Sequence, residues 1–132
     1  MRRFPLWILL AALTIVVLMA GCSNAQPDID LPSTFHDFGE VDQGDVVTVE
    51  LAVLNKGQAD LHIESVSTSC GCTTASVQPQ VIPAGSQGTL TVSYDSGLHP
   101  DSGSVRRFIY IASNDPDEAE VEVEVVAKVL AP

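Results

Sequence analysis

Two cysteines separated by one glycine, Cys70-Gly71-Cys72, are the residues of this 132-residue chain best equipped for chemistry. Oxidised, they close a very small loop, for which chain entropy gives only ~1.6 kcal/mol of stabilisation before any strain is subtracted. A tight bridge of that kind is more reducible than an ordinary structural disulfide, so thiol exchange outside the cytoplasm is a second use. Reduced, the two thiolates suit a soft ion such as Cu(I) or Zn²⁺, with His36, His62 or His99 as a further ligand. Two sulfurs without a fixed third ligand decide nothing alone. All three readings stand, and a tight loop beside the core, with Gly71 supplying the turn, is the simplest.

Other combinations carry less. Ser93, His99 and Asp101 supply a hydroxyl, an imidazole and a carboxylate, but their spacing matches no nucleophile elbow or protease signature. No glycine-rich phosphate loop is present. Glu118, Glu120, Glu122 and Glu124 alternate with Ala119, Val121, Val123 and Val125. On a strand the carboxylates fall ~6.8 Å apart, and each neighbouring repulsion costs ~0.6 kcal/mol in water, which a solvated face tolerates. A charged face that blocks edge pairing is the simpler reading of this row, and a cation site the alternative.

Charge excludes several partners. The chain has 6 basic and 17 acidic residues, and two of the basic ones, Arg2 and Arg3, fall in an N-terminal leader. Nucleic acid is therefore not an expected partner, because cations on phosphate carry most of that affinity. A basic patch gripping anionic lipid is excluded on the same ground.

Membrane association has another source. Arg2 and Arg3 precede an apolar run over residues 6–20, interrupted only by Thr14, which gives residues 1–21 the pattern of a signal peptide. The run is shorter than the ~20 residues of a spanning helix. Met19-Ala20-Gly21-Cys22 resembles the lipobox of bacterial lipoproteins, with Met where Leu is usual. The resemblance implies cleavage before Cys22, thioether lipidation of its sulfur and acylation of the new amino terminus, with palmitate among the possible chains. Several acyl chains hold a protein on a membrane where one does not. Ser23 rather than Asp follows, which by resemblance to the sorting rule of diderm bacteria favours the outer membrane. Residues 22–33 are then the lipidated cysteine and a polar, proline-marked tether without an element of its own.

The strands that must position the cysteines lie in residues 34–131. Phe35, Phe38 and Val41 around Gly39 predict a short strand with a bulge. Val47, Val49, Leu51 and Val53 alternate with Thr48, Glu50, Ala52 and Leu54, a half-buried strand that Asn55-Lys56-Gly57 stops. Leu61 and Ile63 continue the alternation, and Val66 falls out of phase, so the strand bends before the cysteine loop. Pro79, Pro83, Gly85 and Gly88 bracket a loop containing Val81 and Ile82. Leu90, Val92 and Tyr94 predict another strand. Residues 105–112 are apolar on both faces in their second half, as in a central strand. A turn at residues 113–117 leads into the glutamate–valine strand. Six or seven short strands without a helical period make an all-β, immunoglobulin-like sandwich.

Three motifs reinforce that fold. Phe35-His36-Asp37-Phe38-Gly39-Glu40-Val41, Ser69-Cys70-Gly71-Cys72-Thr73 and Ser113-Asn114-Asp115-Pro116, in that order, resemble a bacterial immunoglobulin-like domain family of unknown function related to the ASH and HYDIN-type domains. The resemblance spans about residues 34–129. It implies a seven-stranded sandwich and carries no established activity. If residues 105–112 pair antiparallel with residues 118–129, Phe108 and Tyr110 share a face with the glutamates, a surface suited to an envelope protein partner. The sequence thus favours a lipid-anchored, non-catalytic interaction module facing the periplasm or cell exterior. A thiol-redox or soft-metal lipoprotein acting through Cys70 and Cys72 is the alternative.

Overall fold

The computed structural model describes residues 24–99 and 102–132. Nine strands and no helix occur among them: β1 (Ile29–Asp30), β2 (Phe35–Asp42), β3 (Val46–Asn55), β4 (Leu61–Thr68), β5 (Thr73–Gln78), β6 (Val81–Ile82), β7 (Gln87–Asp95), β8 (Gly103–Ser113) and β9 (Glu120–Leu130). They form a four-stranded sheet in the order β1-β3-β7-β5 and a five-stranded sheet in the order β2-β9-β8-β4-β6. The fold is an immunoglobulin-like sandwich. Signal peptide, Cys22 and Ser23 lie outside the described residues.

Alternation explains how the sheets meet. Leu90 and Val92 of β7 face Ile109 and Ile111 of β8 and Val121, Val123 and Val125 of β9 in one buried cluster. Each such side chain contributes roughly 1.5–3 kcal/mol when fully buried. Slipping β9 by one residue would drive Glu122 and Glu124 into that cluster, so the register is strongly specified. A second cluster at one end joins Val41, Cys72, Tyr94, Ala127 and Val129.

The expected irregularities are present. β2 shifts register against β9 between Asp37 and Glu40, and Gly39 there has φ +72°, a left-handed conformation that favours glycine. β4 shifts register between Ile63 and Ser65, which turns Val66 back toward the core.

Three expectations are corrected. The segment read as a tether supplies β1, which pairs with Asn55 and Leu54 of β3 and buries Ile29 to 2% exposure. Gly57 makes room for it, since a Cβ there would collide with the Gln26 carbonyl oxygen and come within 2.6 Å of the Asp28 nitrogen. Second, the loop around Val81 and Ile82 contains β6, and Ile82 is fully buried against the sandwich. Third, the glutamate row does not guard an edge, because β9 lies between β2 and β8.

The end of the sandwich that holds the N-terminal segment is closed by polar side chains rather than by apolar ones. Asn55 accepts from the backbone N–H groups of Asp28 (3.2 Å) and Gly57 (3.0 Å), and its amide donates to the carbonyls of Ala59 (2.8 Å) and Ile82 (2.9 Å). Asp115, 3% exposed, accepts from the N–H groups of Ile29 (2.8 Å), Asp117 (2.8 Å) and Glu118 (3.1 Å). Burial pushes its carboxyl upward, but these three donors outweigh that and hold it below the usual carboxylate range. Ile29 belongs to one sheet and Asp115 to the β8–β9 turn of the other, so this carboxylate fastens the two together.

Candidate functional site

The Cys70-Gly71-Cys72 loop is the crossover from β4, in the five-stranded sheet, to β5, in the four-stranded sheet. Both sheets hold it. Ser69 continues the pairing with β8: its N–H donates to the Phe108 carbonyl at 2.9 Å, and its Oγ accepts from the Phe108 N–H at 3.0 Å. On the other side the Asp95 N–H donates to the Cys72 carbonyl at 2.9 Å. Thr68 Oγ1 lies 2.9 Å from the Cys70 carbonyl oxygen and 3.0 Å from that of Thr73, which stitches the two ends of the loop.

Cys70 and Cys72 form a disulfide. Its halves have different surroundings. Cys72 is 2% exposed within the second apolar cluster, whereas Cys70 is half-buried at the rim. Arg107 reaches the buried half, its Nε donating to Cys72 Sγ at 3.2 Å, while its guanidinium carbon stands 5.8 Å from the centre of the buried Tyr94 ring. Of the three histidines weighed as ligands, the fold brings His99 to the loop: the two sulfurs and an imidazole nitrogen all lie within 4.8 Å of one another. His36 packs edge-on against Phe38, and His62 pairs through its backbone with Asn114. With the disulfide reduced, Cys70, Cys72 and His99 would offer three soft donors, but the guanidinium beside Cys72 opposes a cation there.

Arg107 escaped the sequence reading. The signal was present, since Arg107 shares strand parity with Val105, Ile109 and Ile111. A cation on the inward face of a strand needs a partner inside. Ser93, by contrast, forms no triad with His99: its hydroxyl lies 2.8 Å from that of Thr48 on the outer face of the four-stranded sheet, and Asp101 lies outside the described residues.

The aromatic surface forms as the pairing required. β8 runs antiparallel to β9 with Phe108 opposite Glu124 and Tyr110 opposite Glu122, and both rings are half-buried. Phe35 of β2, 53% exposed, sits on the far side of Glu124. Arg106 Nε pairs with Glu124 at 2.7 Å across the same face. Where the Gly39 bulge opens the β2–β9 pairing, a shallow groove of about 520 Å³ adjoins this surface, lined by Asp37, Glu40, Arg106 and Lys128 among others.

The same fold occurs in solved structures. A protein of unknown function from Porphyromonas gingivalis W83 superposes with a TM-score of 0.69 at 24% identity over 82% of this chain, which spans only 50% of that protein. The ASH / PapD-like domain of human CEP192 superposes with a TM-score of 0.61 at 10% identity, covering 81% of this chain and 88% of that one. The YadV chaperone does so with a TM-score of 0.56 at 18% identity, covering 77% and 52%. No curated protein matches the sequence. At these identities the likeness concerns the fold. Residues 29–129 match the family described as "Protein of unknown function (DUF1573)", and the chain belongs to that family.

Proposed function

We propose that this protein is a lipid-anchored module of the bacterial cell envelope that holds a protein partner on the outer face of its five-stranded sheet. The observation that carries the reading is the row Phe35, Phe108 and Tyr110, held toward solvent from β2 and from the inner strand β8, with Glu120, Glu122 and Glu124 beside it. Aromatic rings half-buried or exposed on a face and rimmed by charge suit protein recognition, and the carboxylates favour a partner with basic groups opposite them.

The leader supports the anchor. Only residues 23–25 separate the lipidation cysteine from Gln26, whose carbonyl accepts from the Gln58 N–H at 2.9 Å. The four backbone steps from Cys22 to Gln26 span at most ~14 Å, so lipidation at Cys22 seats the Asn55–Asp115 end of the domain against the bilayer. The cysteine loop then lies at the opposite end, roughly 30 Å out along the ten-residue β3, and the aromatic row lies midway along its sheet, with Tyr110 three residues from the end of β8 at Ser113. A partner in the aqueous envelope can reach both.

Two measurements test the proposal. Labelled palmitate should enter the wild-type chain and not Cys22→Ser, and equal labelling would refute the anchor. Replacing Phe108 and Tyr110 together with serine should weaken partner binding at least tenfold without unfolding the domain. Unchanged binding would refute the face.

A further inference from the structure

We infer that the Cys70–Cys72 bond is an exchangeable disulfide, opened by attack of a thiolate on Cys70 and releasing Cys72 as a thiolate held by Arg107. This goes beyond the binding face and does not depend on it.

Burial sets the direction of attack. A thiolate must approach a disulfide sulfur from outside, and Cys72 is enclosed by Val41, Tyr94, Ala127 and Val129. Cys70 lies at the rim. The leaving group is therefore Cys72, the sulfur that accepts from Arg107 Nε at 3.2 Å. A guanidinium gains little from a neutral disulfide sulfur, but it gains a charge-assisted hydrogen bond once that sulfur becomes a thiolate. Stabilising the negative charge that develops on the departing sulfur speeds exchange and favours the reduced pair. A purely structural clip explains the arrangement less well, since a loop this small contributes only ~1.6 kcal/mol. A resident metal explains it less well too, because Arg107 already places positive charge at one of the two sulfurs.

The co-reactant is a protein dithiol. Its first thiolate forms a bond to Cys70 Sγ while the Cys70–Cys72 bond breaks, and the bonding pair leaves on Cys72 Sγ beside Arg107. Its second thiolate then attacks the co-reactant's own sulfur in the mixed disulfide, and Cys70 departs as a thiolate that takes a proton from water. Two electrons have moved: the co-reactant is oxidised to a disulfide and Cys70 and Cys72 are reduced.

The test uses the full-length chain in detergent with glutathione and dithiothreitol as probes, which bypass the partner face. Wild-type protein is mixed with reduced glutathione, the freed thiol is capped with N-ethylmaleimide, and the peptide carrying both cysteines is fragmented. Glutathione on Cys70 with the cap on Cys72 is expected, and the reverse placement overturns the proposal. Arg107→Gln should slow reduction by dithiothreitol about tenfold, with partial recovery in Arg107→Lys. Equal rates in wild type and Arg107→Gln, or a wild-type bond that resists dithiothreitol until the protein is denatured, also overturn it. Should Arg107→Gln fail to fold, the placement of glutathione in the wild type decides.

Discussion

The two outer faces of the sandwich are made by the same alternating pattern and hold different chemistry out to solvent. On the four-stranded sheet the outward positions of β3, β5 and β7 are mostly hydroxyl or charged, with Thr48, Glu50, Thr74, Ser76, Thr89, Thr91 and Ser93 beside the aliphatic Val46, Ala52 and Leu54 and no aromatic ring, and Thr48 and Ser93 even pair their hydroxyls across strands at 2.8 Å. On the five-stranded sheet the corresponding positions include Phe35, Phe108 and Tyr110 among glutamates. Threonine satisfies every requirement of an outward strand position: it favours extended backbone and is at home in water. An aromatic ring left half in water forgoes part of the ~1.5–3 kcal/mol that burial would give it. The hydroxyl face thus shows what solubility alone demands, and the aromatic face shows an excess that a partner would explain.

The largest expected effect comes from separating the two faces altogether. Asp115→Asn turns an amide N–H₂ or a weaker acceptor toward the Ile29 N–H at the junction of the sheets, and should cost about 3 kcal/mol in urea unfolding. The pH dependence has a defined sign. A carboxyl held below its ordinary value in the folded state, against 3.8 as reference, stabilises the protein fully above that reference. The contribution disappears as pH falls through the lower folded value. Wild type should therefore lose stability below about pH 4 more steeply than Asp115→Asn, and parallel curves would show that the carboxylate is not the fastener.

Next in size is the contrast between the faces themselves. Phe108→Ser with Tyr110→Ser should cost the partner complex at least tenfold in affinity, or about 1.4 kcal/mol, while Thr89→Ala with Thr91→Ala leaves it unchanged in the same titration. The threonine pair should change folding stability by about 1 kcal/mol or less and the aromatic pair by about 2 kcal/mol, because each half-buried ring gives up part of its burial. The smallest effect belongs to the crossover loop. Cys70→Ser, which opens the bridge at its half-buried end and leaves Cys72 in its apolar cluster, should lower stability by no more than ~1.6 kcal/mol and leave partner binding intact, measured by denaturation and titration of one preparation.

Much of this architecture is legible in the sequence, and the parts that are not share a cause. Strong period-two runs locate β3, β7, β8 and β9, and Val66, out of phase, marks the β4 bulge. β1 and β6 are two residues long, and their burial depends on Asn55 and Asp115 arriving from distant parts of the chain. β5, Thr73–Gln78, hides because its outward residues are Thr74, Ser76 and Gln78 and only Val77 is a large apolar residue. The pairing of Phe108 and Tyr110 with Glu124 and Glu122 follows from alternation once β8 and β9 are taken as neighbours. Arg107 beside Cys72 does not, since no local pattern brings β8 over the β4–β5 crossover; only its strand parity hinted that the cation turns inward.

The aromatic face is best tested in the intact cell, with a photoreactive phenylalanine analogue placed at Tyr110 in one full-length chain and at Thr91 in another. Both positions are half-buried on outward sheet faces, so they differ in the face and little else. A discrete crosslinked protein from position 110 and none from position 91 is the expected result. No product at 110, or the same product at both positions, would contradict the reading of the five-stranded sheet as the surface that holds a partner.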